Sequence, residues 1–191
     1  MADDGMLALV ALGANLSFEG GAPAATVARA MDALRDLGPV EGRSRLWRSP
    51  AWPPGGPPYV NAALALRVAG PPEAVLLALH AVETRFGRAR DARWGPRTLD
   101  LDLLSLDGPR GPLVWPDAAT QDAWRALPPA SQARAAPEGL ILPHPRLQDR
   151  AFVLGPLAEV APSWRHPRLG LSVVEMLESL PPEARAGTAP I

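Results

Sequence analysis

The chain has 191 residues, 47% of them hydrophobic and 20% charged, which is enough for one globular domain with a sizeable core. Its formal net charge of −1 argues against a protein that coats nucleic acid, since such chains are basic overall. The absence of cysteine excludes disulfides, zinc–thiolate sites and a cysteine nucleophile. The opening apolar run is too short for a signal peptide or a membrane-spanning helix, so we expect a soluble cytoplasmic protein.

The first half of the chain alternates between strand and helix patterns. Apolar runs or strict alternation predict strands, and apolar residues at helical spacing after Pro23 and Pro72 predict helices. A segment with five prolines and two glycines, 49–58, predicts a loop. The predicted order is strand 6–12, helix 23–37, strand 42–48, strand 59–68, helix 72–86 and strand 98–106. This β-α-β-β-α-β order predicts an α+β, ferredoxin-like core, an antiparallel sheet with both helices on one face.

The second half is less regular. Residues 107–139 are rich in proline and alanine, and we interpret them as an insertion with one short helix near 117–127. A short strand is expected at 140–143 and a helix at 171–180. The other sheet face is then either open or covered by the chain after residue 106. We expect one domain, 1–180, with C-terminal additions, followed by a disordered tail at 181–191.

The densest signal for chemistry is RWGPRTLDLD at 93–102. Asp100 and Asp102 alternate with leucines, so both carboxylates point to the same face, roughly 6–7 Å apart by the strand rise. Such a pair can hold Mg²⁺, which prefers oxygen ligands and substrate phosphates. The alternative is that an antiparallel sheet simply has a polar face.

A cluster of arginines precedes the aspartates. Five arginines lie within thirteen residues against one acid, Asp91, and every one of the 19 basic residues in the chain is arginine. Guanidinium groups suit phosphate oxygens, and cations beside carboxylates and Mg²⁺ are what phosphoryl transfer requires. The alternative is a solvated basic face. The members are Arg85, Arg88, Arg90, Arg93 and Arg97.

Several ring-bearing residues could form a pocket for a flat heterocycle. Tyr59 and Asn61 share the non-core face of their strand, beside the proline-rich loop that carries Trp52. Phe152 follows Arg150 closely, so a second ring beside a second cation could belong to the same pocket. The alternatives are that Tyr59 is an ordinary surface residue and that Phe152 is an ordinary core residue. His144 lies between two prolines and suits a phosphate contact, although a lone histidine is usually structural. No Walker loop or Rossmann fingerprint is present.

Taken together, these segments resemble one family, the 6-hydroxymethyl-7,8-dihydropterin pyrophosphokinases of folate biosynthesis. RWGPRTLDLDLL resembles the family signature, and ALGANL resembles its opening strand and turn. SRLWRSPAW and YVNAALAL resemble its pterin-side loop and strand, Glu83 through GRARDARWGPR its nucleotide loop, and LILPHPRLQDRAFVLGPLAEVAP its C-terminal block. The resemblance covers roughly residues 6–106 and 140–167, in the family's order.

The resemblance implies transfer of the β,γ-pyrophosphate of ATP to the pterin hydroxymethyl group, with two Mg²⁺ ions, release of AMP and a monomeric enzyme without nucleic-acid or membrane partners. Asp100 and Asp102 would hold the metal ions and, with Arg88 and Arg97, form the catalytic set. The implied pterin site is Ser49, Ala51, Trp52, Tyr59, Asn61, Asp100 and Phe152. The implied ATP site is Glu83, Arg88, Arg90, Arg93, Trp94, Arg97, Leu103, Ile141, His144 and Arg150.

The chain departs from the family pattern in several places. The opening turn reads GANLS, Ala51 stands where a second proline is common, and Trp52 and Pro145 replace more usual residue types. The insertion is longer than usual and could cover the nucleotide site, bind a partner or be a passive loop. Two other interpretations stay open: a non-catalytic ferredoxin-like module that binds nucleotide or RNA, and a relative that binds both substrates without turnover.

Overall fold

An antiparallel sheet is the centre of the molecule, which is a computed structural model that describes residues 5–51, 54–87, 97–128, 131, 134, 135 and 137–191. The strands are β1 (Met6–Ala14), β2 (Val40–Arg43), β3 (Trp47–Ser49), β4 (Tyr59–Val68), β5 (Asp100–Gly108), β6 (Gly111–Pro112) and β7 (Ala189–Pro190). The main strand order is β6-β5-β1-β4-β3-β7, and β2 also pairs with β4. Strand β1 is therefore flanked by β4 along its whole length and by β5 from Leu7 to Gly13.

Six helices are described around this sheet. They are α1 (Pro23–Ala33), α2 (Pro72–Arg85), α3 (Ala118–Ala126), α4 (Ala151–Val160), α5 (Val173–Ser179) and α6 (Pro182–Arg185), with 3₁₀ turns at Leu34–Leu37 and Leu147–Asp149. Helices α1 and α2 both start with proline, whose fixed φ suits the first helical turn. The predicted helix 23–37 thus ends in a 3₁₀ turn. Gly38 follows at φ 152°, where a Cβ would lie 1.9 Å from the Arg67 carbonyl oxygen.

The predicted ferredoxin-like order is confirmed, and each sheet face has its own core. The first core joins β1, β4 and β5 to α1 and α2 through residues such as Val10, Leu64 and Leu103. The second core lies on the opposite face and joins Leu9 and Leu104 of the sheet to α4 and α5. The sequence did not decide whether this second face is open or covered. In the structure it is covered by the chain after residue 106.

The predicted strand 42–48 is two strands instead of one. Ser44 interrupts the run: its Oγ accepts a hydrogen bond from the Ala63 N–H (2.9 Å) and donates one to the Arg45 carbonyl (2.7 Å). A side chain thus replaces a backbone partner at this point. The predicted strand at 140–143 is reduced to a single bridge, in which Leu142 exchanges two backbone hydrogen bonds with Trp115.

The insertion is anchored to the body of the protein. Its predicted helix near 117–127 is α3, capped by the Asp117 side chain on the Thr120 N–H. Asp122 accepts hydrogen bonds from Arg125 and from Arg168, which lies in the segment between α4 and α5. The described part of the insertion is therefore joined to the C-terminal segment by the Asp122–Arg168 ion pair.

The end of the chain differs from the expected disordered tail at 181–191. Residues of α6 and β7 are ordered, and β7 pairs with β3 at the sheet edge. Gly187, at φ 72°, turns the chain back toward the sheet, and the Ile191 N–H donates to the Leu46 carbonyl at 2.9 Å. The composition alone suggested disorder. It could not show the backbone hydrogen bonds to β3 and Leu46, because these partners are distant in sequence. Among the described helices, none is both long and apolar enough to cross a membrane.

Candidate active site

Residues from three strands form one row across the second face of the sheet. Gly13 on β1 is in register with Asn61 on β4 and with Asp100 on β5. Since neighbouring strands lie about 4.8 Å apart, the amide and the carboxylate flank the glycine on both sides. A Cβ at Gly13 would lie 3.4 Å from Asn61 Oδ1 and 3.9 Å from Tyr59 Cδ1. Gly13 therefore forms the floor between them.

The two aspartates lie together on this face, as their alternation with leucines predicted. Leu101 and Leu103 pack into the first core, so Asp100 and Asp102 point toward the α4 side. Each carboxylate has a guanidinium beside it. Arg97 forms a short hydrogen bond with Asp100, and Arg150 Nη1 lies 3.6 Å from Asp102 Oδ2. The site thus combines two carboxylates with two arginines.

This donor set fits Mg²⁺ better than a transition metal. Among the described residues, no group of three or more His, Cys, Asp or Glu side chains could enclose a metal ion. Mg²⁺ is commonly bound through one or two carboxylates together with substrate phosphates, whereas zinc is usually held by three or four protein ligands. Asp100 and Asp102 therefore suit a metal that arrives with a phosphate substrate.

The predicted pterin-side residues occupy the neighbouring part of the sheet. Asn61 is buried, and its Nδ2 donates to Ser49 Oγ at 3.0 Å, which fixes the orientation of the amide. Tyr59 is half-buried at the start of β4. Burial raises the pKa of Tyr59, the nearby Arg97 opposes that rise and Asp100 adds to it, so the ring lies within electrostatic range of both. Ala51 lies in the loop that follows β3.

The start of α4 brings a cation and a second ring to the same face. Arg150 is the N-cap residue of α4, and its guanidinium carbon lies 5.8 Å from the centre of the Phe152 ring. Phe152 remains 38% exposed, while its neighbours Val153 and Leu154 are buried in the second core. The plain alternative, that Phe152 is a core residue, is therefore wrong, and its ring is available to a ligand.

His144 is held in one orientation beside the aspartate pair. Its backbone N–H donates to the Leu104 carbonyl (2.8 Å), and its Nδ1 accepts from the Arg146 N–H (3.1 Å). The surrounding protein lowers the pKa of His144 to about 3, chiefly through burial and then through Arg150. The imidazole is therefore neutral near pH 7 with its proton on Nε2, which makes that nitrogen a hydrogen-bond donor.

Glu83 is deeper than its predicted place in the nucleotide site suggested. It is 1% exposed on α2, and its Oε1 accepts from the Leu101 N–H at 2.7 Å. Leu101 lies between the two aspartates in sequence. The carboxylate thus supports the strand segment that carries Asp100 and Asp102.

Of two further predicted residues, Leu103 has its side chain in the first core, whereas Ile141 lies beside the insertion. Leu103 is a buried β5 residue paired with Val10, and Ile141 borders a cleft of about 450 Å³ that it shares with Thr120 and Trp124 of α3. The insertion is therefore adjacent to the segment that carries His144. The remaining predicted residues, Trp52, Arg88, Arg90, Arg93 and Trp94, lie outside the described residues.

Two residues of the site were missed by the sequence reasoning, Gly13 and Asn15. The sequence shows a glycine at the end of an apolar run, but its position opposite Asn61 is given only by the register of β1 and β4. Asn15 is 6% exposed and makes hydrogen bonds to Arg97 and to the Pro57 carbonyl. Its partners are distant in sequence, so only the fold reveals them.

A comparison with protein families decides the relationship. The family model for 7,8-dihydro-6-hydroxymethylpterin-pyrophosphokinase (HPPK) matches residues 9–162, most of the chain. The chain belongs to the HPPK family. The match includes β2 to β6, most of β1, α4 and every described residue that the resemblance assigned to the site.

Curated relatives agree with the HPPK assignment. The chain is 37% identical over 180 residues to the 2-amino-4-hydroxy-6-hydroxymethyldihydropteridine pyrophosphokinase of Pseudomonas aeruginosa, with 90% of each chain covered. It is 40% identical over 141 residues to the enzyme of the same name from Synechocystis, a match that covers 74% of this chain and 60% of that protein.

Solved structures support the fold alone. The HPPK-DHPS of Plasmodium falciparum, crystallised as wild type with pteroate, aligns with a TM-score of 0.60 over 91% of this chain and 42% of that one, at 11% identity.

Proposed function

We propose that this protein transfers the pyrophosphoryl group of ATP to 6-hydroxymethyl-7,8-dihydropterin, giving AMP and the pterin diphosphate in folate biosynthesis. The observation that carries the proposal is the row of Asn61, Gly13 and Asp100, because an oriented amide and a glycine beside a carboxylate pair suit a flat, hydrogen-bonding ring next to a phosphate chain. Membership of the HPPK family and the name of the 37% identical relative support the same reaction.

The pterin would lie over the Gly13 floor. Tyr59 and Phe152 each present a partly exposed ring on this face, and the two rings would stack against the two faces of the heterocycle. Asn61, whose amide is oriented by Ser49, would bind the polar edge of the ring. The hydroxymethyl group would then point along the row toward Asp100.

The triphosphate would lie across the Asp100 side of the site. Asp100 and Asp102 would hold two Mg²⁺ ions, which when bound supply charge neutralisation on the phosphate oxygens. Arg97 and Arg150 already lie beside these carboxylates and would contact the same oxygens as negative charge builds up on the leaving AMP. His144 would donate a hydrogen bond from Nε2 and would not act as a base, because its pKa is about 3.

The predicted loop residues complete the proposal. The nucleotide would be approached by Arg88, Arg90, Arg93 and Trp94, and the pterin by Trp52. Backbone groups near Leu103 and Ile141 would contact the adenine base.

We further propose a monomer that works in the cytoplasm, where ATP is available, without nucleic-acid or membrane partners. Light scattering of the purified protein tests the monomer, and a dimer mass contradicts it.

Product analysis tests the reaction directly. Purified protein is mixed with ATP, Mg²⁺ and 6-hydroxymethyl-7,8-dihydropterin, and the nucleotides are separated. Pterin-dependent AMP, with an equal amount of pterin diphosphate, is expected. ADP would indicate attack at the γ-phosphorus and an ordinary kinase, and no nucleotide change with both ligands still bound would indicate a relative without turnover.

A further inference from the structure

Asn15 connects the two sides of the candidate site through a single side chain. Its Nδ2 donates to the Pro57 carbonyl at 3.3 Å, and its Oδ1 accepts from the Arg97 N–H at 2.9 Å. Pro57 lies two residues before Tyr59, on the pterin side. Arg97 lies three residues before Asp100, on the phosphate side. One buried amide therefore bridges the segments that carry both functions.

The main chain around Asn15 strengthens this link on the arginine side. The Arg97 carbonyl accepts from the Asn15 N–H (3.1 Å) and from the Leu16 N–H (3.2 Å). Both backbone polar groups of Arg97 are thus bound by the turn that follows β1. This turn thus holds the Arg97 backbone from which the guanidinium group reaches Asp100.

The bridge requires an amide. An asparagine side chain offers a donor and an acceptor at the same time, whereas an aspartate offers only acceptors and a serine is too short to replace both atoms. The two bonds join segments 42 and 82 residues away in sequence from Asn15. Asn15 is therefore a direct physical connection between the two sides of the pocket.

We propose that Asn15 is a positioning residue that couples pterin binding at the Tyr59 side to the placement of Arg97 at the phosphate side. The inference rests on the proposed function for the identity of the two ligands. A ligand that orders the Pro57 segment reduces the cost of ordering Arg97, so each ligand tightens the binding of the other by the same factor. Without the bridge, each ligand binds to its own side independently.

The test measures coupling and turnover in matched variants. Asn15→Asp keeps the acceptor for the Arg97 N–H and loses the donor to Pro57, while Asn15→Ser removes both bonds without adding charge. Ser17→Asp, an exposed position in the same turn, is the control for charge. Calorimetry gives the Kd of an unreactive pterin analogue and of Mg²⁺ with α,β-methylene-ATP, each alone and with the other saturating. Urea unfolding identifies any variant that does not fold.

For the wild type, we expect each ligand to tighten the other at least about fivefold, as for typical coupled sites. In the Asn15 variants this factor should fall to about 1, with kcat reduced about 10- to 100-fold by a misplaced Arg97 and the separate affinities almost unchanged. Ser17→Asp should match the wild type. Folded Asn15 variants that retain both the coupling factor and kcat would overturn the inference, and so would loss of each separate affinity with the factor intact.

The outcome is independent of whether the reaction occurs. A wild type that binds both ligands with coupling but forms no AMP refutes the proposed function, and the coupling factor of the variants still tests Asn15. A wild type that forms AMP but binds the two ligands independently refutes the role of Asn15 alone.

Discussion

Substitution of Gly13 by alanine separates folding from ligand binding. The glycine forms the floor between Asn61 and Asp100, and its φ lies outside the left-handed region. A Cβ there would lie 3.4 Å from Asn61 Oδ1 and 3.9 Å from Tyr59, distances that the fold tolerates with little movement. The added methyl group would nevertheless occupy space that we assign to the pterin ring.

We expect Gly13→Ala to raise the stability of the protein and to lower its affinity for the pterin. Replacing glycine by alanine in an unstrained conformation stabilises a protein by about 0.4–1 kcal/mol, because the unfolded chain loses freedom. Overpacking a well-fitted site by one methyl group costs about 1–3 kcal/mol. At 1.4 kcal/mol per factor of ten, this corresponds to a pterin Kd about 5- to 150-fold weaker.

Two measurements check this prediction. Urea unfolding should show a Gly13→Ala protein at least as stable as the wild type, and calorimetry should show weakened pterin binding with unchanged nucleotide binding. Gly108→Ala is the matched control, since a Cβ there would meet only Leu113 Cδ2, at 3.9 Å, far from Asn61 along the sheet. Unchanged pterin affinity in Gly13→Ala would refute the floor position.

Three other predictions concern separate parts of the molecule. Asp102→Asn should lower kcat by about 10²–10³ with the fold intact, and near-normal turnover would reject its role in catalysis. Burial lowers the pKa of His166 to about 4, so below pH 6.5 the unfolded chain gains a proton that the folded protein resists. The free energy of unfolding should therefore fall as pH drops from 6.5 to 4, and more steeply than in His166→Gln; parallel pH curves would contradict this. Asp122→Ala should expose the insertion to limited proteolysis, because Arg125 and Arg168 lose their shared partner, and an unchanged digestion pattern would show that the ion pairs are dispensable.

The local patterns predicted the elements of the sheet well. The alternation in β4 predicted its bounds, and the leucines that alternate with Asp100 and Asp102 predicted which residues face the first core. These succeeded because burial on one face imposes a strict period of two residues. The position of α4 was not predictable in the same way. Its sequence is apolar except for Glu159 near its end and contains Pro156, so its pattern does not indicate which surface it covers.

The site was predicted where chemistry and local geometry coincide, and missed where tertiary contacts decide. Two carboxylates at alternate strand positions are visible in sequence, and so are the aromatic residues that flank them. The bridging role of Asn15 depends on Pro57 and Arg97, which no local pattern connects to it. Glu83 was assigned to the nucleotide by resemblance, yet its carboxylate binds the Leu101 backbone beneath the aspartates.

The borders of the sheet are protected against pairing with another chain. Both outermost short strands, β6 and β7, end in proline, which cannot donate a backbone hydrogen bond to a new strand. Strand β2, which within the described residues pairs with β4, carries the charged residues Glu41 and Arg43. Because β7 caps β3, a chain that lacks residues 186–191 should expose the β3 backbone. Such a truncated protein should therefore self-associate at concentrations where the full chain stays dispersed.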